Sequence, residues 1–325
     1  MAEELSRLQI RRPLIIIDEE GVGNDDLDRL VCSLPPSVDH TIYVASKTSA
    51  IAGRVQATDM IMQARFDGII GFGGMAALDL ARLVCNISMP LLTIPTRTES
   101  IGIGPVGMDA LTPVGQHVKL PTAILCDPTL TTSANPLETA AGGMDVLIHC
   151  LECFLSPAFN PPADGIALDG LRRAAFNIEA AVENGSNLSA RRELLAAALN
   201  AGLASEKGFG GIVAASHGLE AVTRSRHGVL HGALLSEILA FNSPAVVDRF
   251  DQIRIVLSLA KGSDLAEQLS LLAERVGLPL RLSEIGIKAE VLPNAARKAA
   301  ADPANRTNPR HATAHDYERI MRAIL

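Results

Sequence analysis

The chain has 325 residues, of which 48% are apolar and 20% are charged. At about 150 residues per domain, this indicates a globular protein of two domains or one large one. The net charge of −7 and the absence of tryptophan disfavour a nucleic-acid-binding surface. No apolar run reaches the roughly 18 residues of a membrane span, and the charged N-terminus lacks the apolar core of a secretory signal. We therefore expect a cytoplasmic protein with no nucleic-acid and no membrane partner.

The five cysteines are an odd number and show no disulfide-framework spacing. This predicts a reducing compartment and mostly buried free thiols. Cys150 and Cys153 form a CxxC pair, but no second pair follows, so the pair gives little support for zinc or redox chemistry.

The first half of the chain alternates short apolar runs with segments of helical periodicity. Runs of this composition are typical of strands that are buried on both faces of a parallel sheet. The predicted strands are Pro13–Asp18, Thr41–Ala45, Gly68–Phe72, Leu91–Pro95 and Ala123–Asp127, and the predicted helices are 25–34, 49–65 and 76–85. The alternation predicts an α/β domain of Rossmann-like type.

From about Pro136 the strand-like runs end and long helical patterns follow. Nine helices are predicted, over residues 137–155, 163–183, 190–205, 212–221, 231–241, 247–260, 264–276, 288–301 and 314–325. The fold class is therefore an α/β N-terminal domain followed by an all-α C-terminal domain. We place the boundary at Asn135–Pro136, which gives domains 1–135 and 136–325.

Asp145 and His149 lie four residues apart, so a helix would place both on one face. Later in the chain, a span of fifteen residues contains three more histidines, His217, His227 and His231, each of which precedes a glycine. One carboxylate and several imidazoles suit Zn²⁺ or Fe²⁺. Surface pairs, helix caps and core histidines are the alternative explanations.

A glycine-rich segment, Gly71–Arg82, follows a predicted strand and begins a helix. Backbone N–H groups at such a helix start can hold a pyrophosphate, although a plain tight turn explains the glycines equally well. Asp18 ends the first strand, where a carboxylate can bind ribose hydroxyls, and a helix cap or a loop acid is the alternative.

In combination, these segments resemble the iron-containing, or group III, alcohol dehydrogenase family. The family's glycine motif GGGSxxDxAK corresponds to Gly73–Arg82, its DPxLT element to Asp127–Thr131, and its metal helix GMDALTHAIE to Gly143–Glu152. Two His-Gly pairs fourteen residues apart match His217 and His231, and Val276–Pro279 and Asn308–Arg310 agree near the end of the chain. The maleylacetate reductases are a related branch.

This resemblance implies a dehydroquinate synthase-like fold in which a metal and a nicotinamide meet between the two domains. It implies Fe²⁺ or Zn²⁺, a nicotinamide dinucleotide, a small alcohol or carbonyl substrate, and a homodimer or higher homo-oligomer. The Asp18 carboxylate would repel a 2′-phosphate, which favours NAD(H) over NADP(H), whereas Arg11 and Arg12 nearby oppose this preference. The implied metal ligands are Asp145, His149, His217 and His231, and the implied cofactor residues are Asp18, Gly73, Gly74, Asp79, Thr96 and Thr98. His227 is expected either to support the metal ligands from outside the ligand set or to relay protons.

The departures from the family pattern lie mainly in the nucleotide half, where Met75 replaces a glycine and only Pro95 and Thr96 remain of PTTAGTGSE. Arg224 and Arg226 lie between two expected ligands, which suggests that the substrate is anionic. A zinc enzyme resembling dehydroquinate synthase or glycerol dehydrogenase, and a non-catalytic relative that keeps the metal but not the nucleotide, are the alternative hypotheses.

Overall fold

The structure, a computed structural model, describes residues 1–21, 25–45, 50–99, 101, 103–104, 118–223 and 225–325. These residues form two compact units, Met1–Thr131 and Thr132–Leu325. The sequence places the domain boundary slightly later, at Asn135–Pro136.

The first unit contains a five-stranded parallel sheet in the order β2-β1-β3-β4-β5. Its strands are β1 (Pro13–Asp18), β2 (Thr41–Ala45), β3 (Gly68–Gly73), β4 (Leu91–Pro95) and β5 (Ala123–Ile124). Its helices, among the described residues, are α1 (Ala2–Arg7), α2 (Asp25–Cys32), α3 (Ala50–Gln63) and α4 (Met75–Val84). The predicted parallel α/β unit is confirmed, although β5 pairs over two residues only.

The three inner strands are buried along their whole length, as their continuous apolar composition predicts. Alternate residues of β1 enter two separate hydrophobic clusters, Leu14 and Ile16 in one and Ile15 and Ile17 in the other. Strand β2 ends the sheet, and it therefore exposes part of its apolar surface.

The second unit is helical throughout its described residues, apart from turns and short 3₁₀ segments. Its helices are α5 (Pro136–Leu155), α6 (Pro161–Glu183), α7 (Leu188–Ala204), α8 (Gly211–Thr223), α9 (His227–Asn242), α10 (Val247–Val256), α11 (Leu265–Arg275), α12 (Leu292–Ala301) and α13 (Ala314–Ala323). The predicted all-α half is confirmed. Helix α9 begins at His227, one turn before the predicted start at His231. None of the described helices is long and apolar enough to cross a membrane.

All five cysteines are free, and three of them, Cys85, Cys150 and Cys153, are buried. Burial raises the pKa of the Cys150 and Cys153 thiols, which lie on the buried side of α5. The CxxC pair therefore belongs to the hydrophobic core.

Candidate metal centre and nucleotide-binding edge

Helix α5 carries the carboxylate at the centre of the candidate site. Asn135 caps the helix in a reciprocal capping box with Glu138, and Pro136 follows in the first turn. Two and a half turns later Asp145 lies buried, with 4% of its surface exposed. One turn beyond it, His149 places Nδ1 3.4 Å from Asp145 Oδ2 and stacks on Phe209, with ring centroids 4.5 Å apart.

Helix α9 brings two histidines to the same carboxylate. His227 is its first residue and His231 lies one turn later, so both side chains share one face. A Cβ atom on Gly228 would lie 2.4 Å from the carbonyl oxygen of Ala141 in α5. Glycine therefore permits the close approach of the two helices at this point.

The donor atoms of Asp145, His227 and His231 all lie within 4.8 Å of one another. Asp145 Oδ1 is 3.6 Å from His227 Nε2 and 3.4 Å from His231 Nδ1, and the two rings are 4.3 Å apart. His231 Nδ1 is buried and has no hydrogen-bond partner among the described residues. A carboxylate and two imidazoles suit a divalent ion such as Zn²⁺ or Fe²⁺, and an orphaned ring nitrogen is what a missing ligand bond would leave. The residues present therefore fit a metal.

The histidines of this group are held neutral. Burial, followed by the charge of His217, lowers the pKa of His149 to about 3. Burial also lowers the pKa values of His227 and His231 well below the ordinary value, and the neighbouring histidines add to this effect. The neutral imidazole is the form that ligates a metal.

His217 occupies a different environment from the other expected ligands. Its Nδ1 lies 2.9 Å from Asp302 Oδ2, its side chain is 43% exposed, and its ring stacks on His227 with centroids 4.9 Å apart. The compact donor group therefore contains Asp145 and His231 from the predicted ligand set, with His149 beside it. It also contains His227, for which the sequence predicted support of the ligands from outside the ligand set or proton relay, and it does not contain His217.

Two residues near the site gave no recognisable signal in the sequence. Ser216 lies within a helix and contacts both histidines of α9. Asp302 lies 85 positions after His217, between the predicted helices 288–301 and 314–325. An acid at a helix end usually indicates a cap, and Asp302 Oδ1 does accept the N–H of Ala304.

Buried side chains hold the start of α8, which carries Ser216 and His217. The carboxylate of Glu152 accepts the backbone N–H groups of Gly210, Ile212 and Val213 at 2.8, 2.6 and 3.1 Å. Burial raises the pKa of Glu152 to about 7, and these N–H groups oppose the rise. A carboxylate at this helix N-terminus satisfies otherwise unbonded donors and fixes α8 against α5.

At the carboxyl edge of the sheet, four of the predicted cofactor residues lie together. Asp18 Oδ2 accepts the N–H of Gly74 at 2.6 Å, and the N–H of Thr96 donates to the carbonyl of Gly73 at 3.1 Å. Gly73 has φ = +135°, and a Cβ there would lie 2.7 Å from Asp18 Oδ2. The glycines thus form a tight strand-to-helix connection of the kind that admits a pyrophosphate, and Asp18 bonds to the start of α4.

The two other predicted cofactor residues are buried. Asp79 forms a buried ion pair with Arg82 at 3.4 Å, and Arg82 also donates to the carbonyl of Gly104 at 2.7 Å. Thr98 is 6% exposed. In the described contacts, Asp79 therefore serves to position Arg82.

Of the two arginines proposed to bind an anion, Arg224 lies outside the described residues. Arg226 is exposed and pairs with Glu138 at the start of α5, with a distance of 3.1 Å. The Arg226 charge is therefore shared with a carboxylate.

The comparisons with known proteins give the class to which this combination of a parallel α/β unit, a helical unit and a buried carboxylate–imidazole group belongs, that of the dehydrogenases. Residues 139–325 match the Fe-containing alcohol dehydrogenase family, C-terminal region. The chain belongs to the iron-containing alcohol dehydrogenase family and is an oxidoreductase.

Comparisons with individual proteins support the same family assignment. The chain is 31% identical to 4-hydroxybutyrate dehydrogenase of Cupriavidus necator over 363 aligned positions, which cover 99% of this chain and 94% of the relative. Maleylacetate reductase from Rhizobium sp. strain MTP-10005 has the same fold, with a TM-score of 0.86, 22% identity and coverage of 100% and 92%. Sulfoacetaldehyde reductase from Bifidobacterium kashiwanohense, solved in complex with NAD⁺, gives a TM-score of 0.85 at 19% identity, with coverage of 99% and 93%.

Proposed function

We propose that this oxidoreductase uses a divalent metal and NAD(H) to interconvert a small alcohol with its aldehyde or ketone. The observation that carries the proposal is the compact group of Asp145, His227 and His231, in which a buried ring nitrogen has no hydrogen-bond partner among the described residues. When bound, Fe²⁺ or Zn²⁺ supplies Lewis acidity toward the substrate oxygen, and NAD(H) supplies or accepts the hydride.

Within the proposed site, Asp145, His227 and His231 hold the metal. His149, a ligand in the sequence-based prediction, contacts the second oxygen of Asp145 and is the next donor available. His217 remains a predicted ligand from the sequence, but its contacts support a different role.

That role is proton transfer between the site and solvent. His217 donates its Nδ1–H to Asp302, so Nε2 is the nitrogen that accepts a proton. The side chain is partly exposed, and its ring lies against that of His227. A carboxylate-oriented histidine in this position exchanges protons with water and passes them toward the substrate oxygen.

The nucleotide is assigned to the edge of the sheet formed by Asp18, Gly73, Gly74 and Thr96. The glycine connection permits close approach of the phosphates. The Asp18 carboxylate would repel a 2′-phosphate, which favours NAD(H) over NADP(H). Thr98 and Asp79 are assigned to the same cofactor from the family resemblance alone.

The substrate is proposed to carry a negative charge. The relative at 31% identity is named for 4-hydroxybutyrate, an alcohol with a carboxylate at its other end. Arg224 and Arg226 are the residues proposed to bind that carboxylate. A cytoplasmic location and a homodimer or higher homo-oligomer remain predictions from composition and from the family.

The test begins with purified metal-loaded protein titrated with NADH and then with NADPH, followed by nicotinamide fluorescence. Reduction rates are then compared for 4-oxobutanoate and for butanal, which has the same chain length and no charge. We expect saturable NADH binding and a higher kcat/KM for 4-oxobutanoate.

Three outcomes would contradict parts of the proposal. Absence of binding by either dinucleotide would favour a metal-binding relative without dehydrogenase activity. Equal rates for the two aldehydes would reject the anionic substrate. Zinc-dependent activity confined to polyols such as glycerol would favour the alternative zinc enzyme.

A further inference from the structure

The hydroxyl of Ser216 lies between the two histidines of α9. Ser216 is fully buried on α8. Its Oγ is 3.0 Å from His227 Nδ1, 3.2 Å from His231 Nε2 and 2.9 Å from the carbonyl oxygen of Val213. One oxygen thus has three hydrogen-bond partners within a residue that has no exposed surface.

Counting protons determines the direction of each bond. A serine hydroxyl has one hydrogen and two lone pairs, and a carbonyl oxygen only accepts. The hydroxyl hydrogen therefore goes to Val213. Each lone pair then accepts one ring N–H, from Nδ1 of His227 and from Nε2 of His231.

The remaining ring nitrogens follow from this assignment, since an imidazole that carries one N–H has its lone pair on the other nitrogen. His227 carries its lone pair on Nε2, and His231 carries its lone pair on Nδ1. These two nitrogens lie 3.6 and 3.4 Å from Asp145 Oδ1. On this assignment the buried Nδ1 of His231 carries a lone pair, which needs a cation or a hydrogen-bond donor. This nitrogen has no hydrogen-bond partner among the described residues, which leaves it available to a cation.

We propose that Ser216 is a positioning residue that holds His227 and His231 in opposite tautomers. Both lone pairs then converge on one point beside Asp145. Two histidines one turn apart on the same helix reach that point with different ring nitrogens, so a single tautomer could not serve both. The cation that occupies the point rests on the proposed function, whereas the tautomers do not.

The first experiment reads the tautomers directly in metal-free protein. Histidine labelled with ¹⁵N is incorporated, and long-range ¹H–¹⁵N correlation spectra distinguish protonated from bare ring nitrogens. Signals are assigned with His227→Gln and His231→Gln. We expect Nδ1–H for His227 and Nε2–H for His231.

Ser216→Ala removes the shared acceptor, and we expect the two spectra to change toward mixtures of tautomers. Ser216→Thr keeps the hydroxyl and is expected to restore them. Ser205→Ala is the matched control. Ser205 is also buried, and its hydroxyl donates to the carbonyl of Gly202, three residues earlier. This hydrogen bond involves no histidine. Thermal unfolding confirms that each variant is folded.

The second experiment measures Zn²⁺ affinity by competition with a chelator. Loss of an outer hydrogen bond to a metal-ligating histidine typically costs about 10- to 100-fold in metal affinity, and this is the loss expected for Ser216→Ala. Ser205→Ala should bind Zn²⁺ as the natural chain does.

The outcomes separate the inference from the proposed function. The same tautomer in both histidines, or unchanged spectra in folded Ser216→Ala, would overturn the role of Ser216. Opposite tautomers together with no Zn²⁺ or Fe²⁺ binding would support the hydrogen-bond assignment and overturn the metal-dependent function.

Discussion

Asp18 in the first unit and Asp145 in the second are both buried carboxylates at positions where the sequence predicts ligand binding, and their surroundings differ. Asp18, 5% exposed, accepts a backbone N–H at 2.6 Å and so belongs to the local structure of the strand-to-helix connection. Asp145, 4% exposed, faces ring nitrogens of His149, His227 and His231 at 3.4 to 3.6 Å. These distances exceed the 2.7–3.2 Å of ordinary N–H···O bonds.

The difference indicates what each carboxylate does. A carboxylate bonded to a helix start stabilises backbone donors, and its loss is mainly a structural change. A carboxylate surrounded by neutral imidazoles creates a site for a cation, because all of these groups offer lone pairs. We therefore expect the two units to respond differently to matched substitutions.

The largest expected difference is between Asp145→Asn and Asp18→Asn. Asp145→Asn removes the charged ligand, so Zn²⁺ or Fe²⁺ affinity should fall by more than the roughly 100-fold typical of changes outside the ligand shell. Asp18→Asn should leave metal affinity unchanged and alter stability and NADH binding. Chelator competition measures the first quantity and nicotinamide fluorescence the second. Equal metal affinity in both variants would reject the assignment of Asp145.

Acid should destabilise the metal-free protein through the histidine cluster. The pKa values of His149, His227 and His231 are lowered by burial from 6.5, so below pH 6.5 the unfolded chain binds protons that the folded chain does not. The contribution of these histidines to the free energy of unfolding is therefore fully present above pH 6.5. Below that pH it falls by about 1.4 kcal/mol per pH unit for each histidine. Glu152 acts in the opposite direction. Its pKa is raised to about 7 in the folded state, so on acidification the folded chain binds this proton before the unfolded chain does, which stabilises the folded state.

Urea unfolding of chelator-treated protein at pH 7, 6 and 5 tests the sign of this effect. We expect a net loss on the order of 3 kcal/mol per pH unit at the acid end, with hydrogen exchange increasing first in α5, α8 and α9. Bound metal should oppose this loss. A free energy of unfolding that does not change over this range would show that the histidines are not held neutral.

Two glycine substitutions test whether helix proximity builds the site. Gly228→Ala would place a methyl group 2.4 Å from the Ala141 carbonyl and displace α9 from α5. We expect a destabilisation of about 1–3 kcal/mol, typical of overpacking, and weaker metal binding. Gly165→Ala on α6 meets no atom within 4 Å and should stabilise by about 0.5–1 kcal/mol. Similar stabilisation in both variants would show that the close approach is unimportant.

The sequence predicted the sheet better than it predicted the site. Continuous apolar runs such as Leu14–Ile17 identify buried strands because hydrophobic burial is a local property of composition. The start of α9 was missed, since Arg226 occupies the capping position without a side-chain cap bond. That missed turn contains His227.

The roles of the histidines could not be read from their spacing. His217 and His227 have similar sequence surroundings, each followed by glycine. Their environments differ because Asp302, distant in the chain, binds His217, whereas α5 approaches His227. Ser216 has no distinguishing pattern, because a serine within an apolar helix is equally typical of a core position. Such assignments depend on tertiary contacts.

The smallest expected effect concerns the proposed anion site. Arg226 is exposed and already paired with Glu138, and an exposed ion pair contributes about 0–1 kcal/mol. Arg226→Ala should therefore raise KM for 4-oxobutanoate by at most about fivefold, the factor that corresponds to 1 kcal/mol, and leave KM for butanal unchanged. Steady-state kinetics with both aldehydes, in Arg226→Ala and in Arg224→Ala, measure this selectivity. If neither substitution changes KM for any accepted substrate, this segment does not bind the carboxylate, and the charge of the substrate must be recognised by other residues.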